Sequence, residues 1–278
     1  MRIDSHQHFW QVERGDYGWI TPELPTLYRD FLPETLEVHL DQHRFNGSIV
    51  VQAAATVAES EFILKLAAHH DRILGVVAWL DLEDPEYPTV LARYLTHPKF
   101  VGVRVMIQSM EDSDIILHSP YIEAIRDLAD RNIPVDLLMK ANQLASVAAL
   151  LHSVPHLHAV IDHIGKPEIA SGVFTPWSDF IAIIASYPNV YCKLSGMVTE
   201  ADHDSWKIEQ FTPYIRHVLD CFGPKRILFG SDWPVCLLAA SYDEVIGLAD
   251  VAAAYLSSEE QKALFYGGNA AVFYRLMG

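Results

Sequence analysis

The chain has 278 residues, half of them hydrophobic and 20% charged, and a folded chain of that size hides roughly three quarters of its unfolded surface without staples. That composition excludes a disordered protein. Twenty Lys and Arg against 36 Asp and Glu leave a formal net charge of −16, which repels phosphate backbones and anionic lipid and argues against nucleic acid or a membrane surface as partner.

The opening MRIDSHQHFW has no apolar run suited to a signal peptide. A first short strand is expected at Arg2–Ser5 and delivers His6-Gln7-His8 at its end. Side chains two apart point the same way, so both imidazoles aim at one pocket. A helix runs from Pro33 to about Phe45. Strands follow at Ser48–Gln52, Ile73–Trp79 and Val101–Met106, the last with Arg104 inside it. Ser119-Pro120 precedes a helix reaching about Arg131, with Asn132 as its stop, and Ile133–Leu138 is the fifth strand. Ala159–Asp162 delivers His163 and Lys166; Val190–Leu194 contains Lys193; Ile227–Gly230 delivers Asp232 and Trp233. Ser241 with Glu244 three residues on has the spacing of a capping box.

Most of these runs are continuously apolar, as parallel strands covered on both faces are. About eight of them at ~25–45-residue spacing, alternating with helices, predict a (β/α)8 TIM barrel, and no linker divides residues 1–278 into more than one domain. A doubly wound sheet is the runner-up, but no GxGxxG or Walker loop follows any strand. No apolar run is long enough to span a membrane. The three cysteines, Cys192, Cys221 and Cys236, have no CxxC spacing and fit a reducing cytoplasm.

In a barrel, chemistry sits where strands end. His6, His8 and His163 then share one mouth with Asp232, a carboxylate placed to take a proton from water and return it to a leaving group. The spacing of His6 and His8 is that of two metal ligands or two carbonyl-polarising donors. The second HxH, His156-Leu157-His158, precedes its strand and reads as structural. Arg104 is too costly to bury idle: it pairs with Asp136 or Asp4 inside the barrel, or it holds a substrate oxygen. Lys193 faces the same choice, and Lys166 a choice between surface and pocket. Trp19, Trp79 and Trp233 are candidates for an apolar wall.

HxH after the first strand, His after the sixth and Asp after the eighth resemble the amidohydrolase superfamily. RIDSHQHFW, VIDHIGKP, CKLSGMVTEAD and FGPKRILFGSDWPVCLLAASYDEV are similar to its sugar-lactonase branch, the L-fuconolactonase and L-rhamnonolactonase type, over the whole chain. The resemblance implies an enzyme that opens a small-molecule aldonolactone to the aldonic acid in carbohydrate catabolism. Binuclear members carry a bridging Lys or Glu after the fourth strand and a His after the fifth. Here Arg104 and Val135-Asp136-Leu137-Leu138-Met139 stand there, so the resemblance implies at most one ion, Zn or Mn, on His6, His8, His163 and Asp232, in a branch that includes metal-independent members. Val105 stands where sugar lactonases of this type often have a histidine.

On this reading Asp232 is general base and then acid, the three histidines polarise the carbonyl, and Arg104, Lys193, Gln52, Trp233 and Lys166 contact substrate. The alternatives are a lactonase for a carboxylated lactone of aromatic degradation, a metal-dependent amidohydrolase or decarboxylase, and a non-catalytic sugar-acid binder. Monomer and homo-oligomer both stay open.

Overall fold

Each expected apolar run becomes a strand of one parallel sheet whose sequence neighbours are also its spatial neighbours. The computed structural model describes residues 1–276. Its strands are β1 Ile3–Gln7, β2 Gly47–Val51, β3 Ile73–Ala78, β4 Phe100–Met106, β5 Val135–Leu138, β6 Ala159–Ile161, β7 Val190–Leu194 and β8 Ile227–Phe229. They pair in the order β1 to β8. The main helices between and after them are α1 Pro33–Gln42, α2 Val57–Ala68, α3 Tyr87–Tyr94, α4 Tyr121–Asp130, α5 Leu144–Ser153, α6 Trp177–Ala185, α7 Ile208–Phe222, α8 Tyr242–Ala254, α9 Glu259–Ala263 and α10 Asn269–Phe273. The protein is a (β/α)8 barrel. Among the described residues, no helix is long and apolar enough to cross a membrane.

The local signals act as expected at several ends. Pro33 opens α1, and Ser241 and Glu244 form a reciprocal capping box at α8. Asn132 takes the left-handed conformation that ends α4's exit turn. The strand limits differ from the sequence expectation in explicable ways. The fifth strand starts at Val135, not Ile133, because Pro134 has no N–H for the ladder and offers only its carbonyl, to Val103. The first strand extends to Gln7. Ile3 joins the apolar floor inside the barrel, and His6, three residues on, also points inward, which strict alternation forbids. A register shift between Asp4 and Gln7 absorbs the odd residue.

Inside the barrel the layers are stacked. Ile3, Ile49, Val51, Val77, Val160 and Leu228 make the floor, and the C-terminal segment closes it from below with Ala270, Ala271, Phe273 and Tyr274. His158 stacks on Phe273 and bonds its carbonyl at this lower end, away from the strand mouths.

The closing edge is the part that matters for the site. β1 and β8 meet through a bridge between Gln7 and Trp233, with His8 N–H donating to the Trp233 carbonyl and Asp232 N–H to the His6 carbonyl, both at 2.8 Å. Below them Ser5 Oγ donates to the Phe229 carbonyl at 2.6 Å, and Ser231 N–H to Asp4 Oδ1 at 2.8 Å. The residues that could carry chemistry are also those that join the first strand to the last.

Candidate active site

Three strand ends aim side chains at one point. Asp232 Oδ1 lies 3.3 Å from His8 Nε2, 3.8 Å from His6 Nε2 and 3.9 Å from His163 Nε2. The His6 ring is 5.0 Å from the His8 ring and 4.4 Å from the His163 ring, centre to centre. All four residues are buried.

The opposite nitrogens are occupied, which fixes how each ring turns. His8 Nδ1 donates to the Val51 carbonyl at 2.8 Å, so a neutral His8 presents a lone pair at Nε2. His163 Nδ1 meets Ser195 Oγ at 2.9 Å. His6 Nδ1 faces Lys193 Nζ at 3.1 Å and Asp162 Oδ1 at 3.3 Å, while its Nε2 is buried without a hydrogen-bond partner. Donor atoms of His6, His8 and Asp232 all lie within 4.8 Å of one another. An orphaned imidazole nitrogen, a second nitrogen presenting a lone pair and a carboxylate oxygen together suit one divalent ion, with His163 at the same oxygen.

The backbone that delivers these groups is strained. His163, Ile164 and Lys166 have φ of 52°, 49° and 49°, and Asp232 has 57°. Left-handed backbone costs an L-residue roughly 1–2 kcal/mol, and a β-branched one such as Ile164 tolerates it least. The turn is held by Trp177 Nε1 donating to the Ile164 carbonyl and by Lys166 N–H donating to the His163 carbonyl. Two glycines make room. A Cβ on Gly230 would meet the His6 Cβ at 2.6 Å, and one on Gly196 would meet His163 Nδ1 at 2.3 Å. Gly196 also has φ +56°.

Burial pushes the Asp232 carboxyl up, but the imidazoles of His163 and His8 outweigh it and hold the group below its ordinary value. His6 and His163 are held well below the usual imidazole value, first by burial and, for His6, next by the Lys193 ammonium. At neutral pH the centre is therefore a carboxylate facing unprotonated His6 and His163.

Beneath it lies a layer of buried charge. Lys193, fully buried, pairs with Asp136 and, at 3.1 Å, with Asp162. Arg104 pairs with Asp162 at 3.6 Å and donates to the Gln52 carbonyl. Neither Asp136 nor Asp4, the partners expected for Arg104, takes that place. Asp136 is engaged by Lys193 and by Tyr274, whose hydroxyl donates at 2.8 Å. Asp4 bonds Ser231 and Tyr242. Two carboxylates and two cations cancel, and Asp162 is held low: the Lys193 ammonium first and the Arg104 guanidinium after it overcome its burial.

Above the centre is a cavity of about 440 Å³, in the range of small-molecule sites. His8, His163, Asp232, Arg104 and Lys166 border it, with Trp19 on an apolar side. Three residues expected to touch substrate do not border it. Lys193 is spent on the carboxylates below. Gln52 is fully buried and contributes its carbonyl to Arg104. Trp233 follows the left-handed Asp232 and is turned away onto Phe31, ring centres 5.1 Å apart. His6 is likewise out of the cavity and reaches it only through its neighbours. Sequence reasoning missed Asp162, although it directly precedes His163, as well as Ser195 and the rim residues Gln108 and Glu200.

The chain matches the amidohydrolase family over residues 3–276. It is 38% identical to an L-fucono-1,5-lactonase of Burkholderia multivorans, with 99% of this chain and 96% of that protein covered. An L-fucono-1,5-lactonase of Burkholderia ambifaria is 36% identical over 99% of this chain and 96% of that one. A solved amidohydrolase structure from Burkholderia multivorans with bound Zn superposes with a TM-score of 0.92 at 36% identity, over 99% of both chains.

Proposed function

The chain belongs to the amidohydrolase family, and from that premise we propose that it hydrolyses a neutral, sugar-derived aldonolactone to the aldonic acid, L-fucono- and L-rhamnono-lactone being the substrate type. The two L-fucono-1,5-lactonases similar along nearly the whole chain support the reaction class. The observation that carries the mechanism is the single carboxylate oxygen, Asp232 Oδ1, set 3.3–3.9 Å from three imidazole Nε2 atoms at the cavity's floor.

A lactone is an activated ester, so no covalent nucleophile is needed. Asp232 takes a proton from water as the water oxygen bonds to the carbonyl carbon. Asp232 is kept ionised by its imidazole neighbours, so the base is available at neutral pH. Without an ion, Ser195 Oγ donating to His163 Nδ1 would leave an N–H at Nε2 for the developing oxyanion, whereas the tautomer donating from Nδ1 to Ser195 would free the Nε2 lone pair for an ion; Arg104 orients substrate oxygens with its planar fork. The tetrahedral species collapses by breaking the bond to the ring oxygen, which receives the proton held on Asp232. One divalent ion held by His6, His8, His163 and Asp232 would, when bound, add Lewis-acid polarisation of the carbonyl. The three free thiols support a reducing, cytoplasmic setting.

A pH-indicator screen over L-fucono-, L-rhamnono-, L-galactono- and D-series lactones, each with and without chelator, tests the reading. Hydrolysis is expected with at least one L-series lactone. No hydrolysis of any aldonolactone by folded protein, with or without added Zn or Mn, overturns it.

Gly196→Ala tests the seating of His163. The added methyl must push the ring off its line to Asp232, and a misplacement of about 1 Å costs roughly 10²-fold in rate. We expect kcat to fall by about that factor while the melting temperature falls only as a left-handed alanine requires. Unchanged kcat would show that His163 needs no fixed seat.

A further inference from the structure

We propose that Glu200 is the specificity-determining residue that restricts this pocket to lactones without a second carboxylate. The inference rests on the lactonase reading above and concerns which lactones that site refuses. Four formally charged side chains border the cavity: Arg104, Lys166, Glu200 and Asp232. Arg104 is already engaged by Asp162 and the Gln52 carbonyl. Among the described residues, Lys166 is the other Lys or Arg bordering the cavity, and it is engaged too. Its Nζ lies 3.0 Å from Glu200 Oε1 and 3.3 Å from Gln108 Oε1.

This pair differs from the ordinary solvated ion pair, which holds two mobile side chains at little net gain. Both of its backbones are fixed by the machinery of the site. Lys166 leaves the same left-handed turn as His163. Glu200 ends a short helical turn, Val198–Glu200, just after Gly196, and its carbonyl accepts from Ala170 N–H at 2.9 Å. Each side chain is only 22% exposed, so solvent screens the carboxylate weakly and its repulsion reaches into the cavity. A neutral polyol meets at this rim an amide, a carboxylate and an ammonium, all able to hydrogen-bond hydroxyls. A ligand carboxylate meets a cation already neutralised and an anion beside it. Exclusion of the wrong substrate by a like charge is a recognised route to specificity.

Glu200→Gln keeps the shape and the acceptor for Lys166 while removing the charge. The experiment compares kcat/KM for the best neutral aldonolactone with that for an aldaric acid monolactone, a sugar lactone that carries a free carboxylate. The ratio, carboxylated over neutral, should rise about tenfold or more in the Gln variant. Glu200→Gln/Lys166→Gln should return it to the wild-type ratio, because the freed ammonium is what accepts the new anion. In parallel, the open aldarate should inhibit neutral-lactone turnover more tightly in the single variant than in wild type. A ratio unmoved in a folded variant overturns the assignment. So does an equal loss on both substrates, which would make Glu200 a hydroxyl acceptor. Failure of the wild type on every neutral lactone would instead remove the lactonase reading itself.

Discussion

Asp232→Asn is expected to lower kcat by roughly 10³–10⁴-fold while substrate still binds, since general acid–base catalysis contributes effects of that order. The amide has nearly the carboxylate's shape and can still meet His8, so the pocket is kept. What is lost is, among the described residues, the one ionised carboxylate bordering both the imidazoles and the cavity floor. KM should move little. The measurement is steady-state hydrolysis beside a binding titration with the aldonate product. Turnover within tenfold of wild type would remove Asp232 from the proton path and point to a water activated elsewhere. The histidines are not equivalent substitutes, because burial holds His6 and His163 far below their ordinary range and leaves them weak bases.

Lys193→Met should have the largest effect on stability, about 3–5 kcal/mol, the cost of stranding a buried charge. Asp162 keeps Arg104 at 3.6 Å. Asp136 keeps only the Tyr274 hydroxyl. It is already pushed up to about 6 by burial, against the pull of Lys193. A carboxyl whose folded value lies above its unfolded one costs stability as pH climbs from the unfolded value through the folded one. Removing Lys193 lifts the folded value further, so the gap between variant and wild type should be small near pH 5 and wide near pH 8. Chemical denaturation at the two pH values checks the sign. Lys193→Met/Asp136→Asn should recover much of the loss, since replacing both members of a buried pair is far milder than removing one. A gap independent of pH would show that Asp136 is not the stranded group.

The sequence readily betrays what is written in runs and ends. Eight apolar stretches specify the strands, and the strand-end rule separates His6, His8 and His163 from His156 and His158. It conceals which way a side chain on a doubly covered strand faces. Parallel strands buried on both sides lack the alternation that would reveal it, so the sequence leaves Lys193 open between a pocket cation and a partner for a carboxylate inside the barrel. It also conceals contacts across a barrel. Register sets Arg104 beside Asp136, yet the guanidinium reaches Asp162, two strands away. Trp233 turns onto Phe31 for a backbone reason: no residue type announces that Asp232 takes a left-handed φ. Only the Gly-bearing strings DHIGKP and LSGM hinted at unusual backbone, and both prove to be where His163 is set and seated.

The bonds that join β1 to β8 have a consequence for how the protein comes into being. His8 and Asp232 touch across 224 residues of chain, among the longest-range contacts the molecule makes and so among the dearest in loop entropy. A growing polypeptide has His6 and His8 once the first strand is made and lacks the carboxylate beside them until the eighth has followed. Fragments that stop short of the eighth strand have neither a sealed barrel nor Asp232. On the proposed mechanism catalytic competence thus arrives only after the eighth strand, and an activity assay on refolding protein reports closure of the ring.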